Sequence, residues 1–189
     1  MMGLWITKNS VKVFENPWIV LHDEQVINPR GGESEYGRIH FKHAAMGIIP
    51  LDNDLNTYLV GQWRYPLNAY SWEIPMGGGH LDEDALGSAK RELLEETGIT
   101  AALWQRLSKV HLSNSVSDEV GYIYLAKELT FGATQFDESE DLTIKKLPLI
   151  KAVEMCLDGS ITDSLSLIGL FKLARTYSFK FKYFGACLV

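Results

Sequence analysis

Apolar and polar residues alternate over short runs through the first third of the chain, and they give way to helical spacing twice further on. Val13, Phe14, Trp18, Ile19 and Val20 gather around Asn16-Pro17 in the stretch Val11 to Val20. Asp23 to Ile27 and Tyr36 to Lys42 alternate on either side of a Pro29-Arg30-Gly31-Gly32 turn, which predicts a small antiparallel sheet. Ala44 to Pro50 and Thr57 to Trp63 are apolar strands separated by the polar turn Asp52-Asn53-Asp54. Trp72 to Pro75 ends a short extended segment. Ala102 to Ser113, Val120 to Lys127 and Leu142 to Leu147 are further strands, with Gly121 to Ala126 apolar enough to be central. Pro148 precedes the apolar run Ile150 to Leu157, and the Asp158-Gly159 turn leads to a final helix near Ser164 to Arg175 with a broad apolar face.

Between these strands lies a helix of a different kind. From Asp84 to Thr97 there is no proline, Ala, Leu, Glu, Lys and Arg dominate, and Gly98 supplies a stop. Ala89, Leu93 and Leu86 turn toward a core, while Glu92 and Glu96 fall four apart on one face with Glu95 beside them. Like charges at that spacing repel, so a bound cation is a reason to keep them together. Oxygen ligands suit magnesium, or manganese in its place, and no His/Cys cluster argues for zinc. The bland alternative is a solvated acidic face with an Arg91–Glu95 surface ion pair. Gly77-Gly78-Gly79 before the helix reads as a loop whose backbone approaches a ligand closely, next to a helix start that favours anions.

Spacing decides between these readings. Gly77, five residues, Glu83, seven residues and then Arg91-Glu92-Leu93-Leu94-Glu95-Glu96-Thr97-Gly98-Ile99 fill every fixed position of the Nudix box. With residue frequencies of roughly 0.07, that pattern arises by chance on the order of once in 10⁹ registers. The chain therefore resembles the Nudix hydrolase superfamily. Gln62-Trp63-Arg64-Tyr65-Pro66, Trp72-Glu73-Ile74-Pro75-Met76-Gly77-Gly78, Ser117-Asp118-Glu119 and Glu138-Ser139-Glu140-Asp141-Leu142 resemble segments of its ADP-ribose pyrophosphatase and nucleoside-diphosphate-sugar hydrolase branch. The likeness runs from about Val11 to Ala174. It departs at Asp82, where the branch has Gly, and at Asn114-Ser115, where Pro-Gly is common.

The resemblance implies an α/β/α sandwich around a mixed sheet, preceded by a small N-terminal antiparallel sheet. Residues 1–43 would form the N-terminal sheet region, 44–175 the hydrolase domain and 176–189 an extension. It implies hydrolysis of ADP-ribose or a related nucleotide sugar to a nucleoside monophosphate and a sugar phosphate. Glu92, Glu96, the Met76 carbonyl and Glu95 would hold two to three magnesium ions. Glu140 would be the general base, with Glu138 its rival and a plain acidic turn the alternative. Glu83 and Arg91 would pair and hold the loop against the helix.

Substrate contacts implied are the Gly77 and Gly78 backbone, Arg64, Arg38, Trp18 and Glu119. For Arg64 a grip on phosphate or ribose and a structural salt bridge are both open. For Trp18, base stacking and core packing are both open. In this branch the N-terminal sheet exchanges across a homodimer and serves the partner's site, so a homodimer is expected. Hydrolysis of triphosphates, dinucleotides or RNA 5′ ends is the alternative activity, and a non-catalytic nucleotide-sugar sensor is a third.

Composition narrows the partners. A length of 189 residues with 46% hydrophobic content suits one ordinary domain with a small appendage. A net charge of −6 without a basic stripe argues against a nucleic-acid partner. Cys156 and Cys187 have neither ligand nor disulfide spacing, the N-terminus lacks signal-peptide character and no apolar run reaches spanning length. A cytoplasmic protein without membrane contact is the expectation. The tail, YSFKFKYFGACLV, reads as a terminal strand, a dimer contact or an extension.

Overall fold

A computed structural model describes residues 4–133 and 142–177. Three strands, β1 (Ile6–Glu15), β2 (Ile19–Ile27) and β3 (Glu33–Phe41), form an antiparallel N-terminal sheet in that order. Asn16 makes the first turn by accepting hydrogen bonds at Oδ1 from the Trp18 and Ile19 N–H groups, at 2.9 and 2.8 Å. β1 begins at Ile6, earlier than Val11, and every one of its residues is exposed. Without a buried face it carries no alternation that would mark its start.

The body of the chain is a mixed sheet between helices. β4 (His43–Pro50) lies between β7 (Met76–His80), antiparallel, and β9 (Val120–Phe131), parallel, and β8 (Ile99–His111) closes the far edge. A second sheet holds β5 (Asn56–Arg64) between β6 (Ala69–Glu73) and β10 (Thr143–Pro148). A 3₁₀ turn at Tyr65–Leu67 and the helices α1 (Ala85–Thr97), α2 (Leu149–Leu157) and α3 (Ser164–Thr176) complete the described elements.

The two-residue period of β4 divides the core. Met46 and Ile48 pack with Ala89 and Leu93 of α1, while Ile49 and Leu51 pack with Leu149, Val153, Leu165 and Leu170 of α2 and α3. Helices therefore cover both faces, which is the expected α/β/α sandwich. Gly121, in the central strand β9, leaves space for Leu165. Ser166 of α3 donates through Oγ to Asp163 at 2.8 Å and accepts the Ile74 N–H at 3.0 Å, fixing the end of β6 just before the glycine strand. Cys156 is a buried thiol whose pKa burial pushes up to about 12. Among the described residues no helix is long and apolar enough to cross a membrane.

The polar turn between β4 and β5 is organised by Asp52. Its carboxylate accepts the Asp54 and Asn56 N–H groups at 3.0 and 2.8 Å and pairs with Lys146 of β10 at 2.8 Å. Burial pushes the carboxyl up, but Lys146 and Asn56 outweigh it and the pKa falls from 3.8 to about 2. A folded-state value below the unfolded one adds stability above pH 4 that is lost as pH falls through about 2. Asp52→Asn is expected to cost about 2 kcal/mol at pH 7. Urea unfolding across pH checks this, with the gap to wild type closing near pH 2.

Candidate active site

The glycine triplet is a strand rather than a loop. Gly77, Gly78 and Gly79 pair with Met46, Ala45 and Ala44 of β4, and none of the three has a positive φ. Glycine is needed for room. A Cβ at Gly77 would stand inside the Glu92 carboxylate, and one at Gly79 would overlap Ser88. The turn comes later, and α1 starts at Ala85 with Asp84 as its N-cap. The Asp84 carboxylate accepts the Leu86 and Gly87 N–H groups at 3.3 and 3.0 Å. An acid of the chain thus occupies the anion-favouring helix start that the sequence offered to a ligand.

The acidic face of α1 meets β7. Glu96 is 3% exposed and accepts the Met76 N–H at 2.9 Å. Arg91 contacts Glu92 at 2.6 Å and Glu95 at 2.7 Å, and Nη2 donates to the Gly78 carbonyl at 2.8 Å. Burial opposes the Arg91 charge, but these two carboxylates raise its pKa overall. The brace between helix and glycine strand therefore exists, but it does not run through Glu83. That exposed carboxylate accepts the Ser88 hydroxyl at 3.2 Å instead. Glu83 precedes the cap, whereas Arg91 lies about 10 Å along the helix and turns toward Gly78.

A cleft of about 520 Å³ opens over this face. Gln62 and Arg64, two apart on β5, line a second wall. Arg64 Nε lies 3.0 and 3.1 Å from the two oxygens of Glu73, and Nη2 also donates to it. Glu73 is buried, and this hydrogen-bonded pairing raises the Arg64 pKa despite desolvation. The salt bridge is thus formed, and Arg64 still faces the cleft. Trp18, His43 and His80 make a third wall. Trp18 is 59% exposed, which excludes core packing, and it lines the cleft of its own chain.

Other expected contacts lie elsewhere. Arg38 Nε and Nη2 donate to the buried Glu24 at 3.1 and 2.9 Å, and its guanidinium stands 3.9 Å from Asp118. Glu119 does not line the cleft either, and burial followed by the charge of Asp163 raises its pKa. The loop before Glu119 is tied to β3. Asp118 accepts the Phe41 N–H at 2.9 Å and contacts His40 Nδ1 at 2.6 Å, and the Tyr36 hydroxyl donates to the Ser115 carbonyl. Asn114-Ser115 is accommodated by these ties and by the left-handed Ser113, φ 48°. Asp82 has no positive φ, so a glycine is not required there. Glu138 and Glu140 lie outside the described residues. His43 and His80 join the cleft without a motif to mark them beyond a histidine directly after the glycine triplet, and Gln62 opens the Gln62-Trp63-Arg64-Tyr65-Pro66 segment without a role of its own there.

The donor set facing the cleft suits a hard divalent ion. Among the described residues no three Asp, Glu, His or Cys side chains converge to hold an ion by themselves. Glu92, Glu95 and Glu96 instead line one wall with Met76, and the Arg91 guanidinium pairs with Glu92 and Glu95. The groups that these residues would offer an ion are oxygens. The space kept free at Gly77 for the Glu92 carboxylate shows that this wall is built around charged groups.

A cleft that joins a carboxylate helix to a glycine strand on an α/β/α sandwich defines a class of diphosphate hydrolases, and a model of the NUDIX domain matches residues 41–156. The chain belongs to the Nudix family and is a Nudix pyrophosphohydrolase. It is 33% identical over 156 residues to an ADP-ribose pyrophosphatase of Mycobacterium tuberculosis, covering 79% of this chain and 73% of the relative. Over 187 residues it is 29% identical to a methanol dehydrogenase activator of Bacillus methanolicus, covering 96% of this chain and 100% of the relative. An ADP-ribose pyrophosphatase of Bacillus subtilis is 29% identical over 156 residues, 81% of this chain and 83% of its own. The crystal structure of an ADP compounds hydrolase superposes with a TM-score of 0.84 at 20% identity, covering 94% of this chain and 96% of its own, a likeness of fold. Nudix hydrolases depend on metal, generally Mg²⁺.

Proposed function

We propose that this chain hydrolyses the diphosphate of ADP-ribose or a related nucleoside diphosphate sugar, releasing a nucleoside monophosphate and a sugar phosphate. One observation carries the reading. A single cleft has an acidic wall at Glu92, Glu95 and Glu96, a guanidinium at Arg64 and an aromatic wall at Trp18. A nucleotide sugar needs all three: a place for metal-bridged phosphates, a cation for phosphate or ribose, and a flat surface for the base. The names of the two ADP-ribose pyrophosphatases point the same way.

In this reading Glu92, Glu95, Glu96 and the Met76 carbonyl hold two to three Mg²⁺ ions, which Mn²⁺ can replace. The ions supply neutralisation of the diphosphate and a lowered pKa for the attacking water. Gly77 and Gly78 let the diphosphate approach the backbone. Arg91 keeps the helix and glycine strand in register through the Gly78 carbonyl. Arg64, oriented by Glu73, grips phosphate or ribose with the N–H groups left over from that pair. Glu140, with Glu138 as rival, takes the proton from water, an assignment that rests on the family resemblance alone.

A homodimer through the N-terminal sheet belongs to the same proposal. Trp5, Val11, Val13 and Phe14 of that region are each at least half exposed, a row of apolar groups suited to a second copy. The chain in Mg²⁺ is tested with ADP-ribose, UDP-glucose, GDP-mannose and dinucleotides, with the products resolved by chromatography. AMP and ribose 5-phosphate from ADP-ribose are the expected products, and no monophosphate from any substrate overturns the proposal. Sedimentation as a monomer overturns the dimer.

A further inference from the structure

The aromatic wall has an internal order that base stacking alone does not require. His43 and His80 are direct partners across the antiparallel β4–β7 pair, so both side chains leave the same face. Their Nε2 atoms lie 3.2 Å apart and their ring centroids 4.1 Å apart. The Trp18 ring follows, 4.8 Å from His43 by centroid. Two residues before His80, Gly78 presents no side chain on that face, and a Cβ there would be 3.5 Å from Trp18 Cζ3 and 3.6 Å from His43 Cβ. Gly77 and Gly79 open toward Glu92 and Ser88 on the other face. The glycine strand thus seats the acidic wall on one side and the ring stack on the other.

His43 Nδ1 is buried with no hydrogen-bond partner, which leaves the contact with His80 as the hydrogen bond that the His43 ring makes. One of the two facing Nε2 atoms donates to the other, in the direction that the tautomers of the two rings set. Burial first, then His80 and Lys42, hold the His43 pKa below its ordinary value against the pull of Glu83. His80 itself is exposed on the rim.

We propose that the His43–His80 pair is a positioning device for substrate specificity: it props the Trp18 indole at the cleft mouth so that the free indole face stacks on the planar base of the nucleotide. The identity of that base-bearing ligand rests on the nucleotide-sugar reading above. Trp18 touches the base, and the two histidines act through Trp18.

Calorimetric titration with AMP, and with ribose 5-phosphate as a ligand lacking the base, tests this without turnover. Trp18→Ala is expected to weaken AMP binding about ten-fold. His80→Leu removes the hydrogen-bond partner of His43 and is expected to weaken it about five-fold. His80→Gln restores a group that can donate or accept and is expected to recover most of the affinity. Ribose 5-phosphate binding stays level in all three. With ADP-ribose as substrate, His80→Leu raises KM by a similar factor and leaves kcat in place. Equal AMP affinity in wild type and His80→Leu, equal losses for both ligands, or a wild type that does not bind AMP overturns the inference. A wild type that binds AMP in this platform-dependent way but cleaves no sugar diphosphate overturns the hydrolase reading and leaves the platform standing.

Discussion

Replacing Glu96 with glutamine is expected to lower kcat on ADP-ribose by about 10³-fold in Mg²⁺, with the melting temperature within about 3 °C of wild type. The two halves of this expectation have separate causes. The Glu96 side chain is buried and receives the Met76 N–H, and a glutamine carbonyl oxygen accepts that bond from the same place. Shape and backbone anchoring survive. What is lost is a negative charge on the wall that neutralises cations beside the diphosphate, where an interaction in a water-poor cleft is worth several kcal/mol. Steady-state rates across a magnesium titration, with thermal melts alongside, make the comparison. Wild-type turnover in Glu96→Gln removes Glu96 from the metal-binding set.

Glu96 was legible because a helix repeats every 3.6 residues, so a spacing of four fixes a shared face whatever the rest of the chain does. Gly98 marks the helix end in the sequence and takes the left-handed C-cap, φ 68°, in the fold. Where the fold depends on what lies opposite in space, the sequence was silent or misleading. A glycine triplet suggests conformational freedom, yet these glycines sit in regular strand and are small because Glu92 and Ser88 need the volume. That cause sits 15 residues from Gly77 and nine from Gly79, and no periodicity reports it. His43 and His80 are 37 residues apart and meet only through the β4–β7 register. Arg64 had two readings because a guanidinium at a strand end fits either, and the buried Glu73 on the neighbouring strand joins them. The Glu83–Arg91 pair was carried over by resemblance, and local geometry redirected both partners.

The glycine strand yields the second large effect: Gly77→Ala is expected to lower kcat/KM about 10²-fold while changing unfolding free energy by less than about 1 kcal/mol. The added methyl lands on the Glu92 carboxylate, the far end of a flexible side chain. Swinging that carboxylate aside is easier than moving the strand, so the fold absorbs the change and the acidic wall does not. Gly77 has no positive φ, so alanine meets no backbone penalty and loses less entropy on folding than glycine. The displaced Glu92 also gives up its 2.6 Å contact with Arg91, which loosens the brace onto Gly78. Gly79→Ala separates this cause from general crowding. Its methyl meets both Oγ and Cβ of Ser88, and Cβ belongs to the helix and cannot rotate away. There the strand and α1 must part, so stability falls by about 1–3 kcal/mol. Urea unfolding and kcat/KM measured on both variants decide the matter. Full activity in Gly77→Ala, or a stability loss matching that of Gly79→Ala, would mean that the glycine at 77 serves the backbone and not the Glu92 carboxylate.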